Sequence, residues 1–136
     1  MRADFPLKDK YGFDDLVKVM RVLRGPGGCP WDAQQTHESI RKNFIEETYE
    51  AIEAIDAADP VLLQEELGDV LFSAANVSRF LDCDAEEALD AATVKFVRRF
   101  REMERLAAQQ GCAVDDLSAA ELDKLWKRAK EVFTKR

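Results

Sequence analysis

The sequence is poor in the residues that form disulfide frameworks and zinc sites. Its 136 residues include three cysteines and one histidine, and Cys29, Cys83 and Cys112 form no Cys-x-x-Cys pair. These numbers argue against zinc and favour reduced thiols. No apolar run approaches the roughly 20 residues of a membrane span, and residues 1–10 lack the pattern of a secretory signal. We therefore expect a cytoplasmic protein without a membrane partner.

Positive charge is also in deficit. The chain has 27 acidic and 20 basic residues, which gives a formal net charge of -7. A protein that binds nucleic acid normally shows the opposite balance, so we expect no nucleic-acid partner. A phosphorylated small molecule is still a suitable ligand if divalent cations carry the charge between it and the protein.

Glycine and proline concentrate at residues 25–30, and most of the remaining chain has helical periodicity. Caps and glycine stops delimit the predicted helices. These helices run from about Phe13 to Arg24, Thr36 to Ala57, Pro60 to Leu81, Asp84 to Gln110 and Ser118 to Thr134. No segment alternates as a half-buried strand would. The sequence predicts an all-α fold, a bundle of about five helices forming one domain over residues 1–136.

The segment from Gly25 to Pro30 lacks the Lys-Ser/Thr ending of a phosphate-binding P-loop. We interpret it as a turn between the first two predicted helices. Trp31 follows directly, and we expect its side chain to anchor this turn against the bundle.

The second and third predicted helices carry matching acidic patterns, Glu46-Glu47-x-x-Glu50 and Glu65-Glu66-x-x-Asp69. At about 100° per residue, Glu47 and Glu66 fall within the apolar arcs of their helices. Glu50 and Asp69 follow three residues later, at the edges of those arcs. Because the link between the helices is very short, they should form an antiparallel hairpin with these four carboxylates at its interface.

Ionised carboxylates in an apolar interface are costly unless they are paired or bound to a metal. Like charges on facing helices would also raise each other's pKa. A hard cation relieves both problems, and oxygen donors without histidine favour Mg²⁺ or Mn²⁺ over zinc or iron. The alternative is that these acidic residues simply face water. Two matched acidic doublets on adjacent helices favour a bound metal ion over simple exposure to water.

These residues resemble the MazG family of nucleoside triphosphate pyrophosphohydrolases. The resemblance rests on Glu46 to Glu50 and Glu66-x-x-Asp69, with the lead-in Gly28 to Asp32, and extends through residues 95–100 to 125–130. It implies Mg²⁺-dependent hydrolysis of nucleoside triphosphates to the monophosphate and pyrophosphate, by a helical homodimer whose two chains build one core. It also assigns the metal and the catalysis to Glu47, Glu50, Glu66 and Asp69, and nucleotide contacts to Lys95, Arg99, Trp126 and Lys130.

Without the family resemblance, the spacing of these four residues does not decide whether they contact a nucleotide. Lys95 and Arg99 are four apart on one helical face, where they could reach a triphosphate or simply form a solvated basic surface. Trp126 and Lys130 have the same spacing, and Trp126 could stack on a base or belong to the core. Asn43, one turn before the first acidic doublet, is a candidate to hydrogen-bond the ribose or base.

Three other functions fit parts of the same pattern. The first is a pyrophosphohydrolase with a narrower substrate, such as dUTP or phosphoribosyl-ATP. The second is a non-enzymatic helical module whose buried acids bind a basic partner helix. The third is a divalent-cation buffer, which would bind calcium as well as magnesium and ignore nucleotides.

Overall fold

The computed structural model describes residues 5–134. Its elements in chain order are α1 (Phe13–Arg24), α2 (Pro30–Ala33), α3 (His37–Asp56), α4 (Pro60–Phe80), α5 (Ala85–Gln109), a 3-10 helix (Val114–Asp116) and α6 (Ala119–Thr134). No strand occurs among these described residues. The predicted all-α fold is confirmed, and the ends of the five predicted helices agree with the structure to within one residue.

Local capping bonds explain why the ends of the helices could be predicted. The Thr36 hydroxyl accepts the backbone N–H of Ser39 at 3.2 Å at the start of α3. The Asp59 carboxylate accepts backbone N–H groups of the first turn of α4 at 3.0 and 3.1 Å. Pro60 occupies the first position of that helix, where a missing N–H has no cost.

The structure adds two short elements to the five predicted helices. α2 has four residues and begins at Pro30, and the 3-10 helix has three. Elements of this length are too short to show a hydrophobic period, so sequence patterning does not detect them.

The expectation that Trp31 anchors the turn is wrong. Trp31 lies on α2 with 72% of its surface exposed. The backbone closes the turn instead, since the Cys29 N–H donates to the Leu23 carbonyl at 2.8 Å. A Cβ atom at Gly28 would lie 2.2 Å from the Val22 carbonyl oxygen. Glycine is therefore required where the turn passes the end of α1.

Contacts group the chain into two compact units, one ending at Glu86 and the other beginning at Glu87. In the first unit, α3 and α4 form the predicted antiparallel hairpin, and α1 packs against α4. The buried residues of this unit are Met20, Ile40, Ala51, Ala54, Ser73 and Ala75.

The second unit is formed by α5 from Glu87 onward, the 3-10 helix and α6. Its buried cluster comprises Met103, Leu106, Ala107, Leu125 and Ala129. The single domain over residues 1–136 stays a prediction. Within the described residues, no helix is both long and apolar enough to cross a membrane.

Candidate functional site

The helical hairpin brings together three of the four predicted metal-binding carboxylates. Glu47 on α3 and Glu66 and Asp69 on α4 each offer one carboxylate oxygen, and these three oxygens lie within 4.8 Å of one another. Glu47 and Glu66 are half-buried, whereas Asp69 is exposed. Around an octahedral Mg²⁺, adjacent oxygens stand about 3 Å apart and opposite oxygens about 4 Å apart, so side-chain movements of about 1 to 2 Å would allow the three to share one ion.

The fourth predicted carboxylate, Glu50, is exposed and lies outside this group of three oxygens. Its negative charge nevertheless affects the ionisation of Glu47 and Glu66. Among the neighbouring charges, that of Glu50 contributes most to raising the pKa of both Glu47 and Glu66. Glu50 therefore lies beside the three carboxylates and belongs to the same acidic site.

Electrostatics make the acidic site a suitable place for a cation. Burial is the largest cause of the raised pKa of Glu47 and of Glu66, and the charges of Glu50 and Asp69 raise both further. Ionised carboxylates held this close repel one another, and a bound cation removes the repulsion. The donors are all carboxylate oxygens, which is the ligand type that Mg²⁺ and Mn²⁺ prefer.

A cavity of about 580 Å³ opens beside the acidic site. We call it the polar pocket. Its walls come from α2, α3 and α4 and include Trp31, Asn43, Glu47, Asp69, Phe72, Ser73 and Asn76. Asn43, which was predicted, donates its Nδ2–H to the Ser73 hydroxyl at 3.3 Å.

Sequence reasoning missed Trp31, Ser73 and Asn76 as members of this pocket. Ser73 and Asn76 follow Asp69 by four and seven residues, so all three share one face of α4. That spacing could have been recognised in the sequence. The place of Trp31 in the pocket could not have been recognised, because it depends on α2, which is too short to show a periodic signal in the sequence.

The four other predicted nucleotide-binding residues belong to the second unit. Lys95 and Lys130 are exposed, and Arg99 is half-buried. The Nε atom of Arg99 is buried and has no hydrogen-bond partner within residues 5–134. Trp126 packs against the buried cluster of this unit, with its ring 5.5 Å from that of Phe96, so it contributes to the core. The nucleotide contacts of these residues stay a prediction.

Fold and site together define an all-α protein with an acidic, metal-compatible centre between two antiparallel helices. Comparison with known families agrees with this class. The model described as the MazG nucleotide pyrophosphohydrolase domain matches residues 35–104, which is more than half of the chain and includes all four carboxylates. The chain belongs to this family, whose named members are hydrolases of phosphoric anhydrides.

Individual relatives lead to the same family. A nucleoside triphosphate pyrophosphohydrolase/pyrophosphatase MazG from Thermotoga maritima is 26% identical, covering 87% of this chain and 95% of that protein. A nucleoside triphosphate pyrophosphohydrolase from Escherichia coli is 37% identical over 68% of this chain, but the match spans only 35% of the relative. The crystal structure of a MazG-related protein from Thermotoga maritima superposes with a TM-score of 0.60 at 28% identity, covering 87% of this chain and 98% of the other.

Proposed function

We propose that this chain hydrolyses nucleoside triphosphates to the monophosphate and pyrophosphate, with Mg²⁺ as cofactor and Mn²⁺ as a possible substitute. The observation that carries the proposal is the convergence of the Glu47, Glu66 and Asp69 oxygens within 4.8 Å. Membership of a pyrophosphohydrolase family supports the reaction. We further propose a cytoplasmic setting, which suits the three free cysteines.

The carboxylates have distinct roles in this proposal. Glu47, Glu66 and Asp69 would hold the ion, with Glu50 at its side. When bound, Mg²⁺ would neutralise phosphate charge and lower the pKa of a coordinated water. Glu50, three residues after Glu47 on α3, is our candidate to accept the proton of the water that attacks phosphorus at the α–β anhydride, whose cleavage releases pyrophosphate.

The cations of the second unit would bind the phosphates. Arg99 suits this role because guanidinium groups bind phosphate bidentately. Lys95 and Lys130 would add point charges, and Trp126 would contact the nucleoside. These four contacts follow from the family resemblance.

The acidic site also explains how a protein of net charge -7 would bind a triphosphate. Without a divalent cation, the clustered carboxylates should repel the substrate. We therefore expect a chelator to abolish both turnover and nucleotide affinity. Tight triphosphate binding in excess chelator would contradict the proposal.

The test is incubation of the protein with mixed nucleoside triphosphates and Mg²⁺, with pyrophosphate and orthophosphate quantified separately. Pyrophosphate as the first product supports the reaction, whereas orthophosphate would place the cleavage elsewhere. Single nucleotides, including dUTP and phosphoribosyl-ATP, then separate a broad enzyme from a narrow one. Calcium binding without any nucleotide turnover would favour the buffer, and a stable complex with a basic helix would favour the interaction module.

We also propose that the enzyme is a homodimer. Both helices of the hairpin present exposed apolar rows with helical spacing: Ile45, Tyr49 and Ile52 on α3, and Leu67 and Leu71 on α4. These side chains are between 42% and 62% exposed. Apolar rows of this kind typically mark an interface, and a second copy that buries them is consistent with the two-chain core that the family resemblance implies.

A further inference from the structure

Trp31 presents its indole to solvent at the wall of the polar pocket. Tryptophan is highly buried on average in folded proteins. The turn that precedes Trp31 is closed by the backbone bond from Cys29 to Leu23, so the turn does not need the indole. A large aromatic side chain that is left exposed in a concave surface is typical of a ligand-binding site.

The polar pocket connects Trp31 to the acidic site. Glu47 and Asp69 line one end of the pocket, and Ser39 lines it in the first turn of α3. Ser39 precedes Glu47 by eight residues, which is about 12 Å along the helix axis. The Ser39 hydroxyl donates to the side chain of Gln35 at 2.7 Å, so the short link that follows Trp31 is held at the start of α3. The indole therefore lies toward this end of the pocket, and the carboxylates lie at the other.

A nucleotide also carries its phosphates at one end and its base at the other. If metal-bound phosphates lie at the carboxylates, as the proposed function requires, the base extends toward the start of α3, where the indole lies. The cavity volume of about 580 Å³ falls within the range of about 300 to 1,000 Å³ that is usual for small-molecule sites. Every base has a flat π face, and an exposed aromatic side chain is a suitable surface for it to stack on.

We propose that the polar pocket binds the nucleoside and that the base stacks on the indole of Trp31. Stacking uses the face of the base and not its hydrogen-bonding edge, so this contact accepts purines and pyrimidines alike. The substrate class is then nucleoside triphosphates with any base, and the larger purines bind more tightly. This inference rests on the proposed function, but not on the contact proposed there for Trp126.

The experiment compares the affinities of two probes by calorimetric titration in Mg²⁺. The first is α,β-methylene-ATP, which resists cleavage at that bond, and the second is inorganic tripolyphosphate, which has no base. Trp31→Ala should bind α,β-methylene-ATP about tenfold or more weakly, because it loses the stacking contact, and should bind tripolyphosphate as the wild type does. Trp31→Phe keeps an aromatic face and should retain most of the nucleotide affinity. The control is Tyr11→Ala, an aromatic residue that is 46% exposed and lies outside the pocket wall, which should change neither affinity.

The two probes separate stacking from a structural role of Trp31, since damage to the acidic site would weaken both. Unchanged affinity of Trp31→Ala for α,β-methylene-ATP, or an equal loss for both probes, would overturn the inference. Should Trp31→Ala fail to fold, Trp31→Leu replaces it, because leucine keeps an apolar side chain without a π face. Wild-type affinity for the nucleotide in Trp31→Leu would then overturn the inference. Absence of pyrophosphate release from every nucleotide would instead refute the proposed function itself.

Discussion

Asn43 on α3 donates its side-chain Nδ2–H to the hydroxyl of Ser73 on α4 at 3.3 Å. Asn43 precedes Glu47 by one helical turn, and Ser73 follows Asp69 by one turn. The bond therefore joins the two helices at the level next to the carboxylates. A slip between α3 and α4 would break it and separate Glu47 from Asp69, so this polar pair stabilises the register that the acidic site needs.

Removal of the Ser73 hydroxyl should weaken this register. We expect Ser73→Ala to lower the free energy of unfolding by about 1 kcal/mol, the usual net contribution of one such bond, and to weaken Mg²⁺ binding. Urea denaturation and calorimetric titration measure the two effects. Ser78→Ala is the matched control, because that hydroxyl donates to the Ala74 carbonyl one turn back in its own helix. An equal effect of both variants on Mg²⁺ affinity would contradict the role of the pair.

Neutralising one of the clustered carboxylates should have opposite effects on stability and activity. Glu47→Gln and Glu66→Gln each remove a charge that is repelled by its neighbours, so the metal-free variants should melt at a higher temperature than the wild type. Turnover should fall about 100-fold or more, as when one preorganised electrostatic group is lost from an active site.

Thermal denaturation in chelator and pyrophosphate release in Mg²⁺ test these two effects. Glu65→Gln is the control, because Glu65 is exposed and is adjacent to Glu66 in sequence but lies outside the group of three oxygens. It should retain most of the activity. Near-normal rates in Glu47→Gln or Glu66→Gln would remove those residues from the site.

The exposed apolar rows of the hairpin should determine the oligomeric state. A lysine in a buried interface is strongly unfavourable, so Ile52→Lys and Leu71→Lys, one in each row, should shift the protein from dimer to monomer. Light scattering after size-exclusion chromatography measures the mass. Val132→Lys changes a residue of similar exposure on α6 and should leave the dimer intact. Dimers that persist in both row variants would exclude the rows as the interface.

The start of α6 should give the protein a defined acid sensitivity. The backbone N–H of Ser118 donates to the Glu121 carboxylate at 2.8 Å and its hydroxyl donates at 2.7 Å. These bonds lower the pKa of Glu121. A lowered pKa means that the stabilisation is complete above the ordinary glutamate pKa of about 4.3 and is lost as the pH falls through the lowered value.

Glu121→Ala should accordingly lower the melting temperature at pH 7, and the difference from the wild type should shrink below about pH 4.3. Melting curves across this range measure the difference. Glu131→Ala, at an exposed position of the same helix, should show no such pH dependence. A difference that is constant with pH would mean that the capping bonds do not act through the charge.

The long helices and the acidic site were predictable because their signals are local. Thr36, Asp59 and Pro60 mark helix ends through bonds and backbone constraints within a few residues, and the spacing of Glu47, Glu66 and Asp69 fixes their helical faces. The polar pocket was not predictable in the same way. The exposure of Trp31 depends on how the chain turns at Gly28, and the bond between Asn43 and Ser73 depends on how α3 and α4 pack.

The position of Trp31 has a practical consequence. The protein has two tryptophans: the indole of Trp31 is exposed at the wall of the polar pocket, whereas that of Trp126 packs against an apolar cluster. In a Trp126→Phe background, Trp31 would be the sole tryptophan emitter, and its fluorescence would change when a molecule displaces water from the pocket. The chain thus contains its own optical probe, which allows occupancy to be titrated without labels and without catalytic turnover.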